Sequence, residues 1–418
     1  MTSRPVDPPA RRPWSAWRTV VAFGFVSLAA DMVYEGMRSV AGPFLGSLGA
    51  SAPTVGLVTG AGEAAALVLR LVSGPWADRS RRHWRLTVVG YAMTAVCVPL
   101  LAVAPFLGAA GVAVAATLIL LERVGKAVRS PAKSALLARM ATTTGRGRGF
   151  AVHKALDQVG AFAGPLLLAG ATAVTGALWP GLALLAVPGA LSLLLLAQLR
   201  RRVPSVAAPD PEDADAAAAS PGARGLPAAL LGADLPRAFH LFSLAVACTT
   251  AGLMTFGVIS FHFVAAGLVP LAAAPLVYAG AMAAEAVAAL ATGVLFDRYG
   301  GRVLLAVPLV VAAVPPLVFA PALGPVLVGV ALWGAATGVQ DSTVKAYVAD
   351  LVPSHRRSTA YGVFAAVQGV GALAGGVLAG ALATDHVGLL TGCVVALQAV
   401  SLLLLLRSPG RTARPAGR

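Results

Sequence analysis

Charged residues recur at helical spacing inside the long apolar stretches of this sequence. In the first stretch, Asp31, Glu35 and Arg38 occupy positions i, i+4 and i+7, which places them along one side of a helix. In the second stretch, Glu63 and Arg70 are seven residues apart and share a face. Ionisable groups in apolar surroundings are costly unless they face protein or water, so we expect them to serve a pathway for a proton or a solute.

The fourth and fifth apolar stretches carry further charges at the same spacing. The aligned sets are Glu122, Lys126, Arg129 and Lys133 in the fourth stretch, and His153 and Asp157 in the fifth. Burial favours the neutral form of a carboxylic acid, whereas a neighbouring arginine favours the ionised form, so such pairs can bind and release protons. The predicted proton-coupling candidates are Asp31, Glu35, Glu63 and Asp157. Our specific hypothesis is that Asp31 and Glu63 carry the proton, with Arg123 as their counter-charge.

The other polar residues within the apolar stretches are predicted to pair with these acids or to line a substrate cavity. They are Arg38, Arg70, Glu122, Arg123, Lys126, His153, Glu285, Gln340 and Asp341. Structural alternatives remain open for several of them. Glu35 could simply pair with Arg38 at the edge of the apolar layer, His153 could serve helix packing, and Asp157 could pair structurally with Arg123 or Lys126. Arg129 and Lys133 are better suited to an inner gate or a phosphate-facing surface.

The elements that position these residues follow from composition. The chain has 418 residues, of which 58% are hydrophobic and 12% charged, whereas soluble domains carry about 25% charged residues. Apolar runs of the length that crosses a membrane continue to the end of the chain. The predicted spans are 16–40, 54–73, 86–105, 110–135, 149–172, 177–199, 237–265, 273–294, 303–321, 325–350, 358–383 and 387–406. We therefore predict an all-α membrane protein with twelve transmembrane helices, because helices satisfy their own backbone hydrogen bonds in lipid.

The positions of the basic residues predict the orientation. Lys and Arg are absent from the odd-numbered connections between the predicted spans and abundant in the tails and the even-numbered connections. The positive-inside rule then places both termini in the cytoplasm. The net charge of +15 thus has a topogenic explanation, and we predict no nucleic-acid partner. The three cysteines stand apart inside apolar runs, which predicts neither a disulfide framework nor a metal site.

The predicted division of the chain has five parts. They are a cytoplasmic N-terminal tail over residues 1–15, an N-terminal six-helix half over 16–199, a partly disordered cytoplasmic linker over 200–236, a C-terminal six-helix half over 237–406 and a cytoplasmic tail over 407–418. The linker is low in complexity and rich in Pro, Ala and acidic residues, which is typical of a flexible tether.

Two motifs occur once in each half. Gly74-x-x-x-Asp78-Arg79-x-x-Arg82 follows the second span, and Gly293-x-x-x-Asp297-Arg298-x-x-x-Arg302 follows the eighth. The segment 159–165 in the fifth span also parallels 370–376 in the eleventh. Such repeats indicate two pseudo-symmetric halves with a binding site between them.

This pattern resembles the major facilitator superfamily over nearly the whole chain. In that family the Asp and Arg of the loop motif form a cytoplasmic charge cluster that stabilises the outward-open state. The resemblance implies this gating role for Asp78 and Arg79, and for Asp297 and Arg298 in the second copy. The alternative is that these charges only set the topology.

A second resemblance bears on the transport mode. Gly160-x-x-x-Gly164-Pro165 is similar to the fifth-span motif of drug/proton antiporters in this superfamily, in which the glycines allow close helix packing and the proline bends the helix. The match is partial, because Leu168 stands where a later glycine is expected. Ala127 likewise replaces a glycine of the fourth-span motif, and the stretch 122–132 looks like a large prokaryotic subgroup.

These features favour a secondary transporter that exports a small amphipathic drug or metabolite in exchange for protons. The excess of basic residues in the N-terminal half supports an alternative, the uptake or exchange of an organic anion. A non-transporting sensor would require a folded soluble domain, and an enzyme would require a catalytic motif; the sequence shows neither. We expect no cofactor, a proton gradient as the energy source, and a monomer in a bacterial-type inner membrane whose partners are lipid and a small-molecule substrate.

Overall fold

The computed structural model describes residues 14–80, 82–140, 146–203, 235–353 and 356–408. Within these ranges the chain is helical and contains no β-strand. The first half comprises α1 (Ala16–Ser47), α2 (Ala52–Val68), α3 (Arg70–Ser80), α4 (His83–Leu100), α5 (Gly111–Met140), α6 (Arg146–Thr175), α7 (Leu178–Leu184) and α8 (Ala186–Arg202). Most of the predicted linker and both predicted tails lie outside the described ranges.

The second half repeats this arrangement. It comprises α9 (Arg237–Leu253), α10 (Phe256–Ala265), α11 (Ala274–Tyr299), α12 (Ala306–Val318), α13 (Leu323–Val339), α14 (Lys345–Leu351), α15 (Arg357–Leu382) and α16 (Val387–Arg407). The ends of most helices lie within a few residues of the predicted span ends, because Gly, Pro and charged residues bound the apolar runs.

Eleven segments of the described chain are long and apolar enough to cross a membrane, so this is a multi-pass membrane protein. One of them, Leu271–Val318, has 48 residues, about twice the length that a single crossing requires. It consists of α11 and α12, which are separated by a tight turn at Gly300, where φ is +60°. The twelve-span count and the cytoplasmic position of both termini stay predictions.

Besides the divisions at Leu69 and Leu185, two predicted spans contain an irregular backbone conformation where the sequence suggests a continuous helix. The span predicted over 237–265 breaks between α9 and α10 at Met254, which has a φ of 51°. The break is held by a tertiary contact, since the indole N–H of Trp333 donates to the Met254 carbonyl at 3.4 Å. Between α13 and α14 the helix widens to a π-helical segment, Gln340–Val344. Such irregularities are frequent at functional sites and are tolerated in membranes where they line a cavity.

Glycines set the packing of α6 against α1. Gly160 and Gly164 lie directly against the backbone carbonyls of Leu28 and Met32, so closely that a Cβ atom at either glycine would overlap those carbonyls. The two residues are one helical turn apart, which allows the helix backbones to touch along a stripe. Pro165 lies within α6, which continues beyond it to Thr175.

The same packing recurs in the second half, between α15 and α9. Gly371 and Gly375 lie against the carbonyls of Ala247 and Ala251, again at a distance that excludes a Cβ atom. The segment 370–376 is therefore the structural counterpart of 159–165, and the predicted internal repeat is confirmed.

The two halves pack backbone against backbone at one end of the bundle. Gly42 on α1 packs against the backbone of Gly257 on α10, and Gly56 on α2 packs against the backbone of Gly376 on α15. These contacts lie toward the ends of the helices that surround the connection 48–51. The contact between α2 and α15 continues toward the opposite end, where Leu71 lies against Gly362, and a cavity lies between the halves beside it.

Substitution of Gly160 tests the packing of α6 on α1. We expect Gly160→Ala to lower the apparent melting temperature in detergent, at a cost of about 1–3 kcal/mol, because the added methyl group forces the α1 backbone to move. Gly170→Ala is the matched control on the same helix, since a Cβ atom at Gly170 meets open space. Equal melting temperatures for the two variants would contradict the packing described.

Candidate functional site

The cavity lies between the halves and has a volume of about 250 Å³. Its polar lining comes from both sides. The N-terminal half contributes Tyr34, Arg38, Glu63, Arg70 and Lys126, and the C-terminal half contributes Thr250, Thr255, Thr337, Gln340, Asp341, Lys345 and Gln368. The two helix interruptions reach this wall, because Met254 and Gln340 both line it.

The cavity continues toward one end of the bundle. A wider mouth of about 390 Å³ shares Arg70, Lys345 and Gln368 with the cavity and continues to Gly74 and Pro131. The other end is closed. On the predicted orientation the mouth faces the cytoplasm.

A direct contact between the halves marks the closed end. The hydroxyls of Thr59 and Thr255, one from each half, are 2.7 Å apart. Because Thr255 immediately follows the break at Met254, this hydrogen bond joins the interrupted helix of the second half to α2.

Glu63 is held between two arginines. Its Oε1 atom lies 3.2 Å from Nη2 of Arg38 and 3.5 Å from Nη2 of Arg123. The Glu63 side chain is 24% exposed and Arg123 only 6%, so the carboxylate stands in the cavity wall while Arg123 lies behind it. The structure thus brings Glu63 and the predicted counter-charge Arg123 together.

Arg38 extends this ion pair to the opposite half. Its Nη1 atom lies 3.7 Å from Oε2 of Glu35, and the same Glu35 oxygen accepts a hydrogen bond from the hydroxyl of Tyr278 on α11. The carboxylate of Glu35 therefore links the halves. Glu35 thus has a second partner besides Arg38.

Tyr34 lines the cavity and contacts two basic side chains of α5. Its hydroxyl accepts a hydrogen bond from Arg123, and the Lys126 ammonium lies 3.6 Å from the centre of its ring. Cations are attracted to the face of an aromatic ring, more strongly where water is excluded. Lys126 is held by this ring and has no carboxylate within ion-pair distance among the described residues.

Glu122 lies inside the N-terminal half and does not line the cavity. It is fully buried, accepts a hydrogen bond of 3.0 Å from Thr94, and has Oε2 3.7 Å from Nε of Arg123. Arg129, also buried, donates to the same threonine. The predicted single stripe of 122, 126, 129 and 133 is thus divided, because two of its members face α4 while Lys126 reaches the cavity.

A second charge cluster lies on α6, distant from Arg123. Asp157 pairs with Lys133 at 3.6 Å and with Nδ1 of His153 at 3.5 Å. Nε2 of His153 is 2.9 Å from the Ser27 hydroxyl on α1. The alternative that Asp157 pairs with Arg123 or Lys126 is therefore wrong, and His153 joins a polar cluster in addition to packing on Phe23.

Asp31 belongs with this second cluster. The charged groups around it are Asp157, Lys133 and Arg129, and it makes no hydrogen bond or ion pair with any described residue. The hypothesis that Arg123 is the counter-charge of both Asp31 and Glu63 is thus wrong for Asp31. The i, i+4, i+7 stripe on α1 is long enough for its two ends to reach different clusters.

The C-terminal half contributes fewer charges. Asp341 and Lys345 form an exposed ion pair of 2.9 Å in the cavity wall. Glu285 is half-buried, with no ion pair in the described part of the chain, and it does not line the cavity.

Part of the predicted gate motif can be placed. The side chains of Asp78 and Arg79 lie outside the described residues. In the second copy Asp297 and Arg298 are exposed and form no ion pair with another described residue. Gly74 and Gly293 lie on α3 and α11, and Arg82 and Arg302 are exposed beyond them. The gating role of this motif stays a prediction.

Comparison with known proteins decides the family. The family model of the Major Facilitator Superfamily matches residues 23–323 and 243–418. This chain belongs to the Major Facilitator Superfamily. It is therefore a membrane transporter and not an enzyme, and the fold class inferred from the sequence is confirmed.

Relatives of this superfamily member extend over its whole length. An uncharacterized protein of Mycobacterium tuberculosis is 50% identical over 392 residues, which cover 94% of this chain and 93% of the relative. An uncharacterized MFS-type transporter of Methanocaldococcus jannaschii is 26% identical over 400 residues, covering 93% of this chain and 94% of that one. A crystal structure of a point mutant of the nucleoside transporter NupG matches with a TM-score of 0.72 at 14% identity, covering 93% and 98% of the two chains. The last likeness concerns the fold.

Several site residues of this superfamily member were missed in the sequence. Tyr34 lies between Asp31 and Arg38 on the charged side of α1, so helical spacing could have found it. Gln368 is a lone amide in an apolar span, which is the same signal that identified Gln340. Tyr278 carried no signal, because an aromatic residue in an apolar span is ordinary.

Neutralisation of Glu122 tests its structural role in this transporter. We expect Glu122→Gln to lower the stability in detergent by about 1.5–3 kcal/mol, because Arg123 and the hydroxyl of Thr94 lose a charged partner inside the half. Thermal unfolding monitored by tryptophan fluorescence measures the change. Asp385→Asn, in an exposed connection, controls for loss of a carboxylate. An unchanged melting temperature for Glu122→Gln would show that the buried charge does not hold the half together.

Proposed function

We propose that this protein is a proton-coupled secondary transporter that exports a small drug or metabolite by alternating access. The observation that carries the proposal is the position of Glu63. Its carboxylate stands in the wall of the cavity, within 3.2 Å of Arg38 and 3.5 Å of Arg123, where a proton from the open side can reach it.

The contacts suggest how protonation moves the halves. When Glu63 is ionised, Arg38 divides its charge between Glu63 and Glu35, and Glu35 holds Tyr278 of the opposite half. When Glu63 is neutral, Arg38 pairs with Glu35 alone and competes with the Tyr278 hydroxyl. This weakens a contact between the halves and favours opening of the closed end, while the mouth closes. Alternating access around a site at the interface of the two halves fits the geometry of this fold.

Asp31 and Asp157 supply a second place for a proton in this proposal. They lie near each other and share Lys133 as a neighbouring cation. Two carboxylates that share a cation respond to each other's charge, which suits them to hold a proton between them. Export as the direction is supported by the antiporter-like glycine and proline pattern at 160–165. The proposed location is the cytoplasmic membrane, and the proposed state is a monomer.

The coupling proposal is tested in inverted membrane vesicles with an acid interior. Adding a transported solute should dissipate the pH gradient in wild-type vesicles. We expect Glu63→Gln to lose this dissipation by at least tenfold, because an amide cannot take up and release the proton. Solute exchange without a gradient should persist, since exchange requires no net proton movement. Asp385→Asn should retain the wild-type rate.

The same measurement on Asp31→Asn tests whether the second charge cluster takes part in proton coupling. A reduced proton-driven rate with normal exchange places Asp31 in the coupling pathway. Full pH-driven activity in both Asp31→Asn and Glu63→Gln would contradict the proposed coupling. If no solute class dissipates the gradient and the protein takes up an organic anion in liposomes, the proposed export is contradicted.

A further inference from the structure

Three residues that line the central cavity carry a hydrogen-bond donor that has no acceptor among the described residues. The first is Arg70 on α3, whose Nε atom is buried and has no hydrogen-bond partner, and whose guanidinium forms no ion pair with a described residue. The second is Lys126 on α5, whose partner is the ring of Tyr34. Buried donors without acceptors are uncommon, because each loses its hydration without replacement.

The third donor is the side-chain amide of Gln340. This residue begins the π-helical segment and is 5% exposed. Its Oε1 atom accepts hydrogen bonds from Thr250 at 3.3 Å and from Gln368 at 3.1 Å, which leaves its Nε2 atom buried without a partner. Gln340 lines the cavity, and its NH₂ group is the part of the side chain that has no hydrogen-bond partner among the described residues.

The ionisable residues that line the cavity carry a net positive charge, which also favours an anionic ligand. Its lining includes four cations, Arg38, Arg70, Lys126 and Lys345, and two carboxylates, Glu63 and Asp341. The carboxylates are already engaged by Arg38 and Lys345. Two positive charges therefore remain for a ligand.

We propose that Arg70, Lys126 and Gln340 form a subsite for the anionic oxygens of the substrate. The class of substrate is a small organic anion with up to two negative charges, such as a dicarboxylate or a phosphate monoester. This inference rests on the proposed function, since it names the substrate of the same cavity. Arginine and lysine bind both groups well, and a neutral amide donor completes the set.

The subsite also spans the two halves. Arg70 and Lys126 belong to the N-terminal half, whereas Gln340 belongs to the C-terminal half. An anion bound by all three draws together the walls of the mouth, to which Arg70 also contributes. Substrate binding thus favours closure of the open end, while Glu63 responds separately to protons.

Equilibrium binding to the purified full-length protein tests the subsite without any proton gradient. Thermal stabilisation would be measured with succinate, glycerol 3-phosphate, propionate and tetraethylammonium at matched ionic strength, because a ligand that binds only the folded state raises the melting temperature. We expect at least one dianion to stabilise the wild-type protein more than propionate, and tetraethylammonium to have no effect. The larger of the melting-temperature shifts produced by succinate and by glycerol 3-phosphate shows whether the subsite prefers carboxylate or phosphate groups.

Substitutions then locate the binding. Arg70→Gln, Lys126→Gln and Gln340→Leu should each weaken dianion binding about tenfold or more, whereas Arg70→Lys should retain part of it. Gln340→Glu keeps the shape but adds a negative charge, and it should abolish the response. Arg407→Gln, which removes an exposed basic residue outside the cavity, should bind as the wild type does.

The outcomes separate this inference from the proton-coupling proposal. Dianion binding that depends on Arg70, Lys126 and Gln340 supports the subsite even if vesicle transport proves independent of protons. Stabilisation by the cation alone, no stabilisation by either dianion, or dianion binding unchanged in folded Arg70→Gln and Lys126→Gln would overturn it.

Discussion

The ion pair of Glu63 with Arg38 and Arg123 is the interaction on which the other features of the site depend. A carboxylate in an apolar layer requires a positive partner, and two partners on one carboxylate leave a positive excess nearby. Arg123 in turn requires Glu122, which places a fully buried acid inside the N-terminal half. Arg38 requires Glu35, which reaches the opposite half through Tyr278. The charge pattern of several helices thus follows from the need to stabilise one titratable group at the cavity wall.

The packing of the two halves is nearly symmetric, whereas their chemistry is not. Gly160 and Gly371 pack equivalent helix pairs in the same way, with closely approaching backbones in each half. The charged residues lie mostly in the first half. The second half contributes mainly hydroxyl and amide groups to the site, as at Tyr278 and Gln340. This arrangement suits a transporter in which a small change of charge alters the balance between two packed states.

Much of the fold could be predicted from the sequence. Span positions follow from apolar length, and the repeat follows from the paired motifs, because both reflect the solvent that surrounds the helices. The glycine pairs could be assigned to packing because only small residues permit such close approach. The break at Met254 could not be predicted, because no proline or glycine occupies that position and a contact with Trp333 from another helix holds it.

The site was predicted less completely than the fold. Helical spacing identified the charged residues on α1, α2 and α5, and Glu63 with Arg123 form a pair as expected. Spacing alone does not say how far a long side chain reaches. Lys126 extends to the cavity, whereas Glu122, on the same stripe, points into the N-terminal half. Asp31 lies near Asp157 and not near Arg123. The role of Tyr278 depends on the way the two halves meet, which no local pattern encodes.

The central claim is that the charge of Glu63 sets which end of the transporter is open. Double electron–electron resonance between spin labels measures this in a background without the native Cys97, Cys248 and Cys393. Labels at Ser47→Cys and Ala266→Cys report on the closed end, and labels at Ser80→Cys and Tyr299→Cys report on the mouth. Compared with the otherwise identical protein, Glu63→Gln is predicted to lengthen the first distance and shorten the second. Equal distances in the Glu63→Gln variant and in the protein that retains Glu63 would contradict this claim.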